Sequence, residues 1–184
     1  MAYVLTFLPW IVYAVLPSAH WQWAALAGLA VAVGVIIKQR AAGYRPDALI
    51  IESGSAVFFA ALAGLAFARP DSALHPYSAA LSSGVLAVIA GASLAVRRPF
   101  TLGIAKQSTP SEIWAQPVFI RTNTVITAVW TLAFTLTAVA LAVMAHAGQA
   151  HSTTATLVQI AGFVAPMLFT KRYIAAVQAE NAPR

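Results

Sequence analysis

The chain contains no cysteine, and only 9% of its 184 residues are charged. Without cysteine, the sequence excludes disulfide frameworks, thiolate metal sites, iron–sulfur clusters and cysteine nucleophiles. An ordinary soluble domain has about 25% charged residues, so this chain has too few charges to cover a surface that faces water. Because 60% of the residues are apolar, the composition indicates a membrane protein and excludes a cytosolic globular enzyme, a disordered tail and a fibre.

Motifs for catalysis are also missing. The sequence has no glycine-rich phosphate loop and no G-x-S-x-G nucleophile motif. Glu52 and Asp71 fall on opposite sides of the predicted membrane, so they do not form a pair of catalytic carboxylates. We therefore expect a protein that is not an enzyme and that holds no cofactor.

Four long stretches without charge define the predicted architecture. A helix that crosses the hydrocarbon core needs about 20 residues, and the first and last stretches are too long for one helix each. We expect Pro17–His20 and His146–Thr154 to divide them. The result is one all-α transmembrane domain over 1–184, a bundle of three hairpins, with six segments, or five if the first, which contains Pro9, does not cross. The predicted segments are 2–16, 21–37, 48–67, 79–96, 118–144 and 155–170.

The positions of the cationic residues predict the orientation. With six segments, ten of the eleven Lys and Arg residues fall on one side and only Arg69 falls on the other. Cytoplasmic loops collect such residues, so we expect a multi-pass membrane protein with both termini in the cytoplasm if the first segment crosses. This bias also explains the net charge of +6 without a nucleic acid partner.

The cytoplasmic segment before the fifth span has a helix-start signal. Thr109 and Glu112 match a capping box, with Pro110 at the first helical position. The pattern predicts a cytoplasmic helix over about 110–116. This helix either positions the third hairpin or forms, with Arg97, Arg98 and Trp114, a contact site for lipid headgroups or a protein partner.

Glu52 is the only carboxylate inside a predicted span. Ionisable groups in membranes are costly, and they are usually paired or functional. Arg121 lies at a similar depth, so an ion pair between the two is one interpretation. The other is a solute or proton site that includes Asn123, with Gln159 further along a polar path.

All four histidines fall in the loops that are predicted to lie outside. Imidazole is a common metal ligand, so these residues are weak candidates for a metal or haem site, although none has the spacing of a helical metal motif. They are His20, His75, His146 and His151.

A collinear set of short motifs extends over nearly the whole chain. It comprises Phe7-Leu8-Pro9, a basic loop after the second segment, Arg97-Arg98-Pro99, Pro110 with Trp114, then Asn123, Trp130 and Phe134, and finally Lys171-Arg172-Tyr173. In this order the chain resembles a distant member of the intracellular septation protein A family, the inner membrane-spanning proteins of bacteria. The resemblance implies a bacterial inner (plasma) membrane protein with a non-enzymatic role in septation and cell-envelope maintenance, through contacts with envelope or division proteins.

The sequence is also compatible with two other functions. One is a small-solute or ion transporter or channel with a polar site near Glu52, Arg121 and Asn123, assembled as a homo-oligomer because six short helices enclose little volume. The other, less favoured, is a histidine-ligated metal or haem membrane protein. For each of these three functions, we expect the lipid bilayer to be a partner of the protein.

Overall fold

The computed structural model of the chain describes residues 2–16 and 20–180, without the side chains of residues 2–4 and 47. Over these residues the chain is helical and contains no strand, which confirms the predicted all-α class. The predicted break at Pro17–His20 lies outside the described residues except for His20. The α-helices are α1 Ala2–Val15, α2 Trp21–Ala41, α3 Ile50–Ala68, α4 Ser78–Ala95, α5 Phe100–Ala105, α6 Pro117–His146 and α7 Thr153–Glu180.

Five helices are long and apolar enough to cross a membrane: α2, α3, α4 with the turn before it, α6 and α7. Their outer faces carry large apolar side chains, such as Val57, which is 72% exposed, and Val88, which is 69% exposed. An apolar outer surface on five such helices is suited to lipid. The architecture is therefore that of a helical membrane protein.

Helix α1 is shorter than the five candidate membrane-spanning helices and packs against the bundle with one face. Its 14 residues give a length of about 21 Å at 1.5 Å per residue, against a hydrocarbon thickness of about 30 Å. Thr6, Phe7, Trp10 and Tyr13 are all buried. One face of the helix therefore supplies core side chains, whereas the opposite face is open, with Ile11 44% and Val15 78% exposed.

Two of the three predicted hairpin pairs pack on each other, α1 with α2 and α6 with α7, but the second pair, α3 with α4, does not pack as a hairpin. Helix α3 packs mainly along α2, and α4 packs mainly along α6, whereas α3 and α4 have few contacts with each other. Helix α7 packs on α6. The last helix also continues to Glu180, ten residues beyond the predicted end at 170, and Lys171 and Arg172 lie on it.

An aromatic cluster joins α1 to α6 and α7. The ring of Phe7 stacks on Trp130 with the centroids 4.9 Å apart, and Phe163 meets Phe7 edge-on at 5.4 Å. Phe134 lies between them, 5.3 Å from both Trp130 and Phe163. Such offset and edge-to-face pairs add to the stabilisation from burial, so this cluster fixes α1 against the second half of the chain.

The segment before α6 differs from its prediction. A short helix, α5, forms at Phe100–Ala105, and the predicted helix over 110–116 is reduced to a single 3-10 turn at Ser111–Ile113. The Thr109 hydroxyl donates to the Ala105 carbonyl at 2.8 Å. Because this hydroxyl completes the end of α5, it does not cap a following helix.

Glycines such as Gly28 and Gly162 permit close approach of neighbouring helices. A Cβ on Gly28 would lie 2.9 Å from the Phe59 ring, and a Cβ on Gly162 would overlap Thr137 on α6. Gly34, in contrast, has no atom within 4 Å of the corresponding position. Small residues allow helices in membranes to pack at short distance, so Gly28 and Gly162 set the separations of α2 from α3 and of α6 from α7.

We expect Gly162→Ala to lower the stability of the protein in detergent by about 1–3 kcal/mol, because the added methyl group overpacks the contact with Thr137. Gly34→Ala is the matched control and should leave stability unchanged or slightly higher, since alanine favours a helix by about 0.5–1 kcal/mol over glycine. Chemical unfolding of both variants measures the difference. An equal response of the two variants would contradict the assigned α6–α7 contact.

Candidate functional site

Glu52 lies in the first turn of α3 and is only 1% exposed. Its Oε1 atom accepts a hydrogen bond from the Thr6 hydroxyl at 2.8 Å and a second from Gln39 Nε2 at 3.3 Å. Thr6 belongs to α1 and Gln39 to the last turn of α2. One carboxyl oxygen therefore joins three helices.

The expected ion pair between Glu52 and Arg121 is not formed. Arg121 is exposed in the first turn of α6, whereas the Glu52 side chain points towards α1 and α2. Helix α6 packs on α4, α5 and α7. The two residues share a depth along their helices, but they lie on different pairs of neighbouring helices.

Two buried oxygens at this site have no hydrogen-bond partner within the described residues: Glu52 Oε2 and Gln39 Oε1. The Gln39 side chain is itself 8% exposed. An unpartnered buried polar group costs about 1–3 kcal/mol, and more when it is charged. Because both atoms are acceptors, the site is chemically suited to a proton, a hydrogen-bond donor or a small cation.

A small cavity opens next to this carboxyl site. It has a volume of about 80 Å³, and Thr6 and Gln39 line it together with Tyr44 and Gln107. The exposed Lys38 also borders it. The cavity therefore connects the hydrogen-bond partners of Glu52 with the end of the bundle that carries the basic loops, which we call the basic end.

A second cavity, of about 230 Å³, lies at the opposite end, which we call the histidine end. Tyr13 from α1 and Ser78 from α4 line it, as do His151 and the half-buried Gln159. Gln159, selected from the sequence as part of a polar path, thus lines a polar cavity, but this cavity is separate from the one beside Glu52.

The two cavities are at opposite ends of one face of α1. Thr6, Trp10 and Tyr13 are spaced at i, i+4 and i+7, so they lie on the same side of the helix. Between the cavities, the Trp10 indole N–H donates to Ser55 Oγ at 2.7 Å, and the ring packs on Phe58 and Phe59 at 5.1 and 4.8 Å. Aromatic side chains therefore close the bundle between the cavities.

Asn123 has a packing role away from Glu52. It is 3% exposed, and its Nδ2 atom donates to the Phe119 carbonyl at 2.9 Å. The backbone carbonyl of Asn123 accepts a hydrogen bond from the Thr101 hydroxyl at 2.9 Å. That hydroxyl also lies 2.7 Å from Thr127 Oγ1. These contacts fix α5 against α6.

The histidines gather at one end without forming a set of ligands. His75 stacks on Trp21 at 4.9 Å, and the His75 and His151 ring centroids are 5.8 Å apart. His146 Nδ1 lies 3.4 Å from the Tyr77 hydroxyl, and His20 is exposed. Among the described residues there is no group of three or more His, Cys, Asp or Glu that could hold a metal ion.

The remaining predicted contact residues are at the basic end. Arg97 is exposed and has a positive φ of 55°, at the sharp turn after α4. Arg98 lines a cleft next to α5. Trp114 is half-buried, donates from its indole N–H to the Thr109 carbonyl at 3.1 Å, and lies 5.4 Å from Lys106 Nζ.

Comparison of the chain with protein-family models, with curated proteins and with solved structures finds no match in any of the three. The function has to be inferred from the site itself.

We expect Thr6→Val to destabilise the bundle by about 1–3 kcal/mol, because it removes the shorter of the two hydrogen bonds to a buried carboxyl group while keeping the shape of the side chain. Thr124→Val is the matched control, since the exposed Thr124 hydroxyl donates only to the Ile120 carbonyl of its own helix. Chemical unfolding in detergent measures both variants. A loss of stability in Thr124→Val as large as in Thr6→Val would contradict the role of the Glu52 contact.

Proposed function

We propose that the protein is a small membrane transporter in which the Glu52 carboxyl group binds a proton or a small monovalent cation. The observation that carries the proposal is a buried carboxyl group in the first turn of an apolar helix, with one oxygen held by Thr6 and Gln39 and the other without a partner. A purely structural carboxylate would be expected to have a cationic partner, since unpaired charges in membranes are costly and usually functional.

The cavities at the two ends of α1 support the proposal. One reaches the partners of Glu52 from the basic end, and the other reaches Tyr13 and Gln159 from the histidine end. Carriers work by exposing a site in the membrane to each side in turn. A change in the packing of Trp10 on Phe58 and Phe59 would open the barrier between these cavities.

The size of the site limits the ligand. A cavity of about 80 Å³ has room for a few water molecules or a small ion, and not for a sugar or an amino acid. Both unpartnered atoms are acceptors, which favours a proton or cation over an anion. The exposed Lys38 also borders the cavity, and its positive charge would favour release of a cation from Glu52 by repulsion.

The topology is part of the proposal. We propose that α1, although shorter than the five candidate spans, is the first of six crossings, since it runs from the basic end at Thr6 to the histidine end at Tyr13. With the basic end in the cytoplasm of a bacterial inner membrane, both termini would then be cytoplasmic. In this arrangement Glu52 lies near the cytoplasmic side. The role in septation and the envelope that the family resemblance implies, through protein partners, stays a prediction, and so does assembly as a homo-oligomer.

Flux measurements in liposomes test the proposal. We expect the wild-type protein to carry protons, sodium or potassium down an imposed gradient faster than empty liposomes, and Glu52→Gln to lower that rate by about tenfold or more, as when one required group is removed. The amide keeps the size of the side chain and its acceptor oxygen, but it can neither ionise nor hold a titratable proton.

Glu112→Gln is the matched control because Glu112 is an exposed carboxylate, and its flux should equal that of the wild type. Wild-type liposomes that carry none of the three cations faster than empty ones would contradict the proposal. Equal fluxes in Glu52→Gln and the wild type would also contradict it.

A further inference from the structure

A cationic cleft lies at the basic end, between the 3-10 turn Pro46–Ala48 and helix α5. It has a volume of about 450 Å³, and three cationic side chains line it: Arg45, Arg98 and Lys106. Arg98 and Lys106 flank α5, whereas Arg45 comes from the distant loop after α2. The fold therefore brings three positive charges to one concave surface.

A second cleft, of about 340 Å³, continues from the first. It shares Arg45, Gly103 and Lys106 with it and extends to Trp114. The Lys106 ammonium group lies over the Trp114 ring at 5.4 Å, and the indole N–H is held by the Thr109 carbonyl. Of the described side chains that line the two clefts, none is acidic.

The lining also has an apolar part. The half-buried Leu102 borders the first cleft, and the buried Ala48 borders the second. A ligand in these clefts would meet cationic groups and hydrocarbon side by side. This combination fits a molecule with an anionic head and an apolar body better than it fits a free inorganic anion.

The depth of α5 places the clefts near the membrane surface. Thr101 on α5 contacts Asn123 and Thr127, which lie six and ten residues after the start of α6 at Pro117. At 1.5 Å per residue these contacts are about 9–15 Å along α6. With α6 crossing the bilayer, α5 lies beside its first turns, at the level of the headgroups.

We infer that these clefts bind the phosphate group of an anionic membrane lipid. Arginine pairs with phosphate through two parallel N–H donors, and lysine adds a point charge. Basic pockets between membrane helices are known to bind the headgroups of anionic lipids, and tryptophan favours the interface. Glu52, Thr6 and Gln39 line neither cleft, although the second cleft adjoins the cavity beside them and shares Tyr44 and Gln107 with it. The inference rests on the cationic lining and does not depend on the proposed transport of cations.

Native mass spectrometry of the full chain in neutral detergent tests the inference, with phosphatidylglycerol and phosphatidylcholine of identical acyl chains. We expect the wild type to bind phosphatidylglycerol more tightly. Lys106→Gln and Arg98→Gln should each weaken this binding by about fivefold, the effect of one cationic residue near an anionic lipid surface. Lys171→Gln is the matched control, since Lys171 is exposed on α7 and lies outside both clefts.

Lys106→Arg separates loss of charge from loss of fold, because it keeps the charge and should retain the binding that Lys106→Gln loses. Equal affinity for the two lipids would overturn the inference, as would an equally large loss in Lys171→Gln or in Lys106→Arg. Inorganic phosphate alone should bind at least about tenfold more weakly than the lipid, because it gains no apolar contacts. Phosphate binding as tight as that of the lipid would identify a site for soluble phosphate and would also overturn the inference.

Discussion

The hydrogen bonds that Glu52 accepts from Thr6 and Gln39 hold three helices around a single carboxyl group. A polar group in an apolar interior is tolerated only where its surroundings are arranged for it. The last turn of α2 must bring Gln39 to the carboxyl group that the first turn of α3 carries. The short α1 must bring Thr6 to the same group. This constraint explains why α1 contributes side chains to the core although it is shorter than the candidate membrane-spanning helices.

The rest of the bundle supports that position of α1. Phe7 packs into the aromatic cluster with Trp130 and Phe163, and Trp10 packs on Phe58 and Phe59 of α3. The first contact fixes α1 to α6 and α7, and the second closes the space between the two cavities. The small cavity at the basic end thus reaches Thr6 and Gln39, the partners of Glu52, and aromatic side chains separate it from the cavity at the histidine end.

The helical class could be predicted from the sequence because the few charges mark the ends of the apolar stretches. The partner of Glu52 could not, since depth along a helix does not reveal which helices are neighbours. Gln39 lies between Lys38 and Arg40 and therefore looked like a loop residue, but α2 continues to Ala41 and buries it. The sequence did contain one signal for the buried face of α1, which is the i, i+4, i+7 spacing of Thr6, Trp10 and Tyr13. Helix α5, with six residues, was too short to give a periodic pattern.

The absence of cysteine allows the most direct measurement of the two-cavity arrangement, because any introduced cysteine is the only thiol in the chain. We expect Gln39→Cys in sealed vesicles to react with a membrane-impermeant thiol reagent applied from one face only, and Gln159→Cys from the opposite face only. Ser55→Cys, at the level of Trp10, should react from neither. Reaction of Gln39→Cys and Gln159→Cys from the same face, or of Ser55→Cys as fast as either, would contradict two separate cavities with a closed barrier between them.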